Sequence, residues 1–558
     1  MKKKLPLVLA ILIVLVGFLV RFYRLNLNFP SLYADETSWY FGLANLLKPA
    51  QSFLDFFYKN FFLRLITFTW LLGLTPLGVR LPSTVFGTLF LFLIYWLAKE
   101  INFEKKKTWQ ITPLVTLILA AFLPWGVHLA RIGHVLVILS LTMVGIHWLI
   151  YLRAKTIKAY FWSLLPLFLA AYFYLSMVLI GPLALILVIY KIWQLKPSIK
   201  VKKTILITGI ILIALFSLVF LKRGGSSRGL DLAIWRDVNI TAAENIDRGL
   251  ARFSNPTIFS LNHNPELVSR FFYNRPMAVI NTFTRIYLSF YSPDFLFLKG
   301  DPTLRHSTGR FGVFYPFLLP FLIYGAFLFF AGGERKTKEM FLFWLLVSPI
   351  PAALTKGGDG YLLRVTYMLP LLTYLSALGI VEFLKLFKRK LKIILSVLLF
   401  FIFVFNTYNF LFNYFHVYPA SSARSFEYGF KELTEFQKEN NFKTLLVIWD
   451  GYYPRSYFGF WQPSFYKNLN NFTVKKITVG QSDFYQVNES LYFSLPYIEN
   501  DLQIFLKENK ISFIALPGDL KGSFNNYQLF KQNPINIINY PDQSSAFYLY
   551  QIFSTTGK

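Results

Sequence analysis

The chain has 558 residues, 55% of them hydrophobic and 19% aromatic, with 15% charged and no cysteine. Soluble domains carry about 25% charged residues, which argues against an ordinary soluble enzyme. A disulfide framework or a thiolate metal site needs a residue the chain lacks. Lys and Arg exceed Asp and Glu by 29, an excess that has meaning only once it is located along the chain.

Apolar runs long enough to cross a bilayer need roughly 20 helical residues. The sequence predicts such spans at 5–23, 81–99, 110–126, 134–152, 159–175, 178–195, 204–221, 311–331, 339–354, 361–381 and 392–411. The first follows Met-Lys-Lys-Lys, has no small-residue cleavage site and runs into Arg21-Phe-Tyr-Arg24. It is therefore read as a retained helix and not as a cleaved signal.

With the N-terminus inside, the cytoplasmic segments 1–4, 99–107, 153–158, 191–203, 332–338 and 385–392 hold 23 Lys and Arg. The short outer loops 127–133 and 355–360 hold one each, Arg131 and Lys356. That asymmetry follows the positive-inside rule. The sequence thus predicts a polytopic α-helical membrane protein of about 11 spans, with a C-terminal extracytoplasmic α/β domain in the cell membrane. The membrane domain is expected over 1–411, with outer loops 24–80 and 222–310, and the soluble domain over 412–558. The tail shows strand-like runs at 444–449, 511–515 and 546–550, accompanied by helical patterns such as Phe426–Phe436. It carries 13 basic and 12 acidic residues, so the basic excess belongs to the membrane part and nucleic acid is not an expected partner.

Of the 23 cytoplasmic basic residues 20 are Lys, whereas the loop 222–310 has 10 Arg and 2 Lys. Arg offers a fork of donors that fits phosphate or carboxylate oxygens. It also suits aromatic, interfacial loops, where it stacks and snorkels.

Four places could carry chemistry. The first outer loop opens with Asn28-Phe-Pro-Ser-Leu-Tyr-Ala-Asp35-Glu36. These carboxylates could act as a general base towards a hydroxyl or hold a cation; alternatively, Asp35 caps a helix starting near Glu36. Further along the same loop, 53–72 reads as a helix lying in the membrane interface. The second place is Trp125-Gly-Val-His128-Leu-Ala-Arg131-Ile-Gly-His134, whose histidine spacing does not suit a metal. An Arg there is either functional at membrane depth or reaches the headgroups. The third is Gly300-Asp301-Pro-Thr-Leu-Arg305-His306-Ser307, read as a substrate-binding turn or as a salt-bridged loop locking two helices. The fourth is Lys356-Gly-Gly-Asp-Gly-Tyr-Leu-Leu-Arg364, where an Arg in an apolar stretch calls for an anionic partner.

In this order, Asp35-Glu36, Arg131, Gly300-Asp301-Pro-Thr-Leu-Arg305-His306-Ser307 and Leu363-Arg364…Leu369-Pro370 resemble the GT-C class of integral-membrane glycosyltransferases. The branch is that of the protein O-mannosyltransferases and aminoarabinose-type lipid A transferases, and the likeness covers about 1–415. It implies a polyprenyl-phosphate sugar donor, a glycan, lipid or protein acceptor, membrane lipids as partners, and chemistry on the outer face. Asp35 would be the catalytic base and Glu36 would orient it or the acceptor. Arg131, Asp301, Arg305, His306 and Arg364 would bind the lipid phosphate or sugar, with Arg305 or Arg364 neutralising the departing phosphate. One displacement inverts the anomeric centre. No cofactor is required; a divalent cation is weakened as an expectation because Ile-Gly-His-Val-Leu follows Arg131 where relatives carry a second carboxylate.

Two other classes remain open. A lipid-linked glycan flippase should show charged or broken helices at the midplane and related halves, whereas the polar residues here gather in outer loops. A glycan polymerase or ligase would share the chemistry and the membrane side. Tyr452, Tyr453, Trp461 and Tyr466 in the tail could stack on sugar rings, or the domain could only cap the entrance.

Overall fold

The computed structural model describes residues 5–37, 72–73, 75–101, 111–222, 231–253, 270–440, 444–449, 454–461, 474–496 and 498–552. The interfacial helix expected at 53–72 therefore lies essentially outside the described residues, as do Tyr452, Tyr453 and Tyr466. The chain forms two compact units, one of 1–23 with 83–410 and one of 24–82 with 411–558. Residues 24–37 of the first outer loop share the second unit with the C-terminal domain.

The helical unit is built from α1 (Leu5–Phe22), α2 (Pro76–Ile101), α3 (Ile111–Phe122), α4 (Val135–Arg153), α5 (Leu164–Phe173), α6 (Ser176–Gln194) and α7 (Ile199–Lys222). After these come α8 (Val238–Phe253), α9 (Arg275–Ser289), α10 (Leu319–Gly332), α11 (Arg335–Val347), α12 (Leu369–Lys385) and α13 (Arg389–Phe412). Every expected span falls on helix. Among the described residues, however, six helical stretches are long and apolar enough to cross a membrane: 5–22, 76–101, 135–153, 176–194, 362–385 and 389–421. Others are cut short by local chemistry. The third span stops at α3 because Leu123 is extended and Pro124 opens the separate turn Pro124–Leu129. The fifth is divided at Ser163 between Ile157–Trp162 and α5.

Packing between α10 and α12 is backbone against backbone. A Cβ on Gly325 would lie 1.9 Å from the Leu375 carbonyl oxygen, and one on Gly379 1.9 Å from that of Phe321. Only glycine permits this approach.

Helices α8 and α9 arise within the Arg-rich loop, and several of its arginines brace it internally. Arg248 donates to the Tyr273 carbonyl at 2.9 Å and pairs with Glu244. Arg275 reaches the Trp235 carbonyl at 2.6 Å, and Arg285 pairs with Asp359 at 2.6 Å.

The second unit holds a seven-stranded sheet ordered β2-β3-β4-β1-β5-β7-β6. Its strands are β1 (Leu445–Ile448), β2 (Lys475–Val479), β3 (Ser482–Asn488), β4 (Leu491–Ser494), β5 (Phe513–Pro517), β6 (Asn536–Asn539) and β7 (Ser545–Gln551). β1 runs parallel to β4 and β5, while the outer pairs are antiparallel. Alternation along β1 feeds two cores. Leu445 and Val447 join Phe430, Leu433, Tyr457 and Phe458 of α14 (Phe430–Glu439) and α15 (Pro454–Trp461). Leu446 and Ile448 join Leu502, Phe505 and Leu506 of α16 (Glu499–Glu508). A strand buried on both faces reads as a continuous apolar run, as Leu-Leu-Val-Ile does.

Candidate functional site

The first-loop acidic pair sits in the sheet-bearing unit. Phe29 packs edge-on against Tyr414 and Tyr418, and Tyr33 against Phe426. Asn28 donates to the Tyr414 carbonyl at 3.2 Å. Within this aromatic frame residues 34–37 form one helical turn. The turn is held from three sides: the Ala34 amide donates to Glu427 at 2.9 Å, Thr37 and Ser456 hydroxyls meet at 3.0 Å, and Ala34 joins the core beneath the sheet. Tyr457 donates to the same Glu427 carboxylate.

The two carboxylates on this turn have opposite fates. Glu36 is fully buried and accepts two bonds from Arg80, from Nε at 3.0 Å and Nη2 at 2.8 Å. Arg80, 1% exposed, also donates to the Ser31 carbonyl at 2.6 Å and lies 4.3 Å from the Phe29 ring centroid. Such a bidentate pair satisfies two charges that neither could bear alone. Asp35 is exposed and makes no hydrogen bond or ion pair among the described residues. It lies inside the turn and not at its N-cap, so the capping alternative does not describe it. Arg80 was absent from the sequence-based candidates. Its signal was available: it is a lone cation immediately before the apolar run that starts at Leu81.

The remaining candidates sit in the helical unit. Arg131 is completely buried, and its Nη1 donates to the carbonyls of Val20, Arg21 and Tyr23 at 3.0, 2.6 and 2.8 Å. These are unsatisfied carbonyls at the C-terminus of α1, where a cation also meets the negative end of the helix dipole. Arg131 thus caps the end of α1. Arg21 braces the same corner with bonds to the Ala121 and Gly126 carbonyls at 2.8 and 3.0 Å.

Asp301, 1% exposed, accepts from the Thr303 amide at 2.7 Å, the Leu362 amide at 2.8 Å and His306 Nδ1 at 2.9 Å. These bonds tie the loop to the start of the short helix Leu362–Val365. Gly300 and Gly309 turn the chain at φ of +75° and +67° to allow it. His128 Nε2 meets the Arg305 carbonyl at 3.0 Å, and burial holds its imidazole neutral, with the pKa pushed down to about 3. The His306 ring lies 4.6 Å from that of Tyr361, and the half-buried Arg364 guanidinium lies 4.2 Å from Tyr361. Arg364 also donates to the Thr355 hydroxyl. The nearby Asp359 pairs with Arg285, and Arg364 has no carboxylate partner among the described residues. Tyr361 and Thr355 were not among the sequence-based candidates.

Among the described residues no three His, Asp or Glu side chains are grouped as metal ligands. No family model matches the chain, and no curated protein does. Solved structures of Archaeoglobus fulgidus oligosaccharyltransferase are similar in outline. The apo form gives a TM-score of 0.49 at 12% identity, covering 98% of this chain and 74% of that one. The oligosaccharyltransferase AglB in complex with an inhibitory peptide and a dolichol-phosphate gives 0.46 at 12% identity, covering 96% and 74%. At that level the likeness transfers neither activity nor substrate to this chain.

Proposed function

We propose that the chain is an inverting membrane glycosyltransferase that moves a sugar from a polyprenyl-phosphate donor to an acceptor hydroxyl on the outer face of the cell membrane. The observation that carries the reading is the division of labour at 35–36. Arg80 neutralises Glu36, whereas Asp35 is an exposed carboxylate with no partner among the described residues, on a turn fixed by its neighbours. Asp35 takes the proton of the acceptor hydroxyl. The acceptor oxygen attacks C1 of the sugar, the bond from C1 to the phosphate oxygen breaks, and its electron pair leaves on the polyprenyl monophosphate. The step balances without a redox partner. In the helical unit Arg364 is assigned to the lipid phosphate, because a half-buried guanidinium with no carboxylate partner among the described residues is what an anionic ligand completes. Glu36, held by Arg80, serves by orienting the turn that carries Asp35.

The test is transfer of radiolabelled sugar from polyprenyl-phosphate donors by purified protein, wild type beside Asp35→Asn. A fall of at least ~10²-fold is the scale expected for losing a general base. Equal transfer by both proteins removes Asp35 from the chemistry.

A further inference from the structure

The aromatic and histidine groups behind Arg364 form a connected series. Asp301 is buried and fixed by two backbone amides, so its third bond, from His306 Nδ1, sets the plane of the imidazole. The His306 ring packs on Tyr361 at 4.6 Å with the planes inclined by 57°. Tyr361 in turn lies 4.2 Å from the Arg364 guanidinium carbon. The Thr355 hydroxyl takes one of the Arg364 Nη1 donors. The Leu362 amide that bonds Asp301 follows Tyr361 directly in the chain, so one carboxylate fixes both the ring behind Tyr361 and the backbone beside it.

We propose that Tyr361, backed by the Asp301–His306 pair, is the positioning platform that orients Arg364 towards the phosphate of a polyprenyl lipid. This rests on the assignment of Arg364 to that phosphate. A guanidinium on a long, flexible stem loses rotamer entropy when it binds an anion. An aromatic face and one hydroxyl acceptor that fix it beforehand lower that cost and leave the other donors directed at the ligand. Asp301 and His306 touch no ligand in this account and act through Tyr361.

The test measures binding of farnesyl phosphate to the purified full chain in detergent, with thermal melting of each variant as the control. Arg364→Gln is expected to weaken binding about 10- to 100-fold, the range for losing charge-assisted bonds. Tyr361→Leu is expected to weaken it about tenfold, and His306→Gln about threefold, the scale of a partly desolvated cation–π contact and a fraction of it. Gln at 306 can still donate to Asp301, so it removes the ring while keeping that bond, and it carries the test if Tyr361→Leu does not fold. The decisive comparison repeats both substitutions in the Arg364→Gln background. A merely structural role leaves their effects unchanged there, whereas positioning makes them disappear. Wild-type affinity in folded Tyr361→Leu, or a loss that persists without Arg364, overturns the platform. Wild-type affinity in Arg364→Gln removes Arg364 from phosphate binding and the platform with it, a result distinct from a failure of Tyr361 alone.

Discussion

Two places in this molecule solve the same electrostatic problem with opposite remainders. On the turn at 34–37 a buried carboxylate, Glu36, is matched by Arg80, and the group with no partner among the described residues is the carboxylate of Asp35. At the loop of 300–309 a buried carboxylate, Asp301, is matched by His306 and two amides, and the nearby group with no carboxylate partner among the described residues is Arg364. In each case full burial goes to the satisfied group, as desolvation requires. What remains accessible is a carboxylate in one region and a cation in the other. The comparison separates groups that hold the fold from groups open to a ligand, although both kinds occur side by side in sequence.

The largest effect that could break this comparison is on the buried pair. Removing one partner of such a pair costs about 3–5 kcal/mol, so Glu36→Gln should lower the melting temperature steeply in a thermal scan of the purified chain. If Glu36→Gln melts like wild type, the pair is not what fixes the turn. Next in size is Asp35→Asn, expected to lose at least ~10²-fold in transfer. Because Asp35 is exposed and has no partner among the described residues, the melting temperature of this variant should stay at the wild-type value.

A smaller effect concerns His128. Its folded pKa, about 3, lies below the ordinary imidazole value, so the unfolded chain takes up a proton that the folded one refuses. Stability is therefore whole above about pH 6.5 and falls as pH drops towards 3, by about 1.4 kcal/mol per pH unit at most. Melting measured between pH 7 and pH 4 should flatten in His128→Gln relative to wild type. The smallest effect sharpens the contrast from the other side. The pair of Arg285 with Asp359 is 64% and 48% exposed, and exposed pairs contribute about 0–1 kcal/mol. Asp359→Asn should therefore shift melting by no more than a degree or two, against the large loss at Glu36.

Much of this was legible before any coordinates. Apolar runs placed each helix of the expected spans because bilayer-length hydrophobicity is a property of the local sequence. The same holds for Leu445–Ile448, whose apolar run marks a central strand. Partner choice was less legible. Asp35 and Glu36 are adjacent and chemically alike, and only the fold shows that Arg80, 44 residues later, reaches one of them. Arg131 reads in the sequence as a cation either functional at membrane depth or reaching the headgroups. Its partners are carbonyls at the end of α1, about 110 residues earlier, and nothing in the local sequence names a backbone acceptor. Two of the spans that fell short of crossing length, the third and the fifth, did so at Pro124 and Ser163, where single residues outweighed an apolar average. The first loop belonged to the sheet-bearing unit because Phe29, Tyr33 and Ala34 fill its aromatic and aliphatic core, a preference that composition alone does not show.

The glycine contact between α10 and α12 has a mechanical consequence. Where two helices touch through side chains, rotamer changes let them slide; where they touch through backbone, the spacing has no soft coordinate. Gly325 and Gly379 therefore join α10 and α12 into a single strut. The chain enters the strut from 300–316 at one helix and from 361–368 at the other, so the fixed spacing of the helices bears on the gap that the Asp301 carboxylate bridges to the Leu362 amide. Sequence drift on the outward faces of these helices can change how they meet lipid without altering that spacing, whereas a single methyl group at either glycine would reset it.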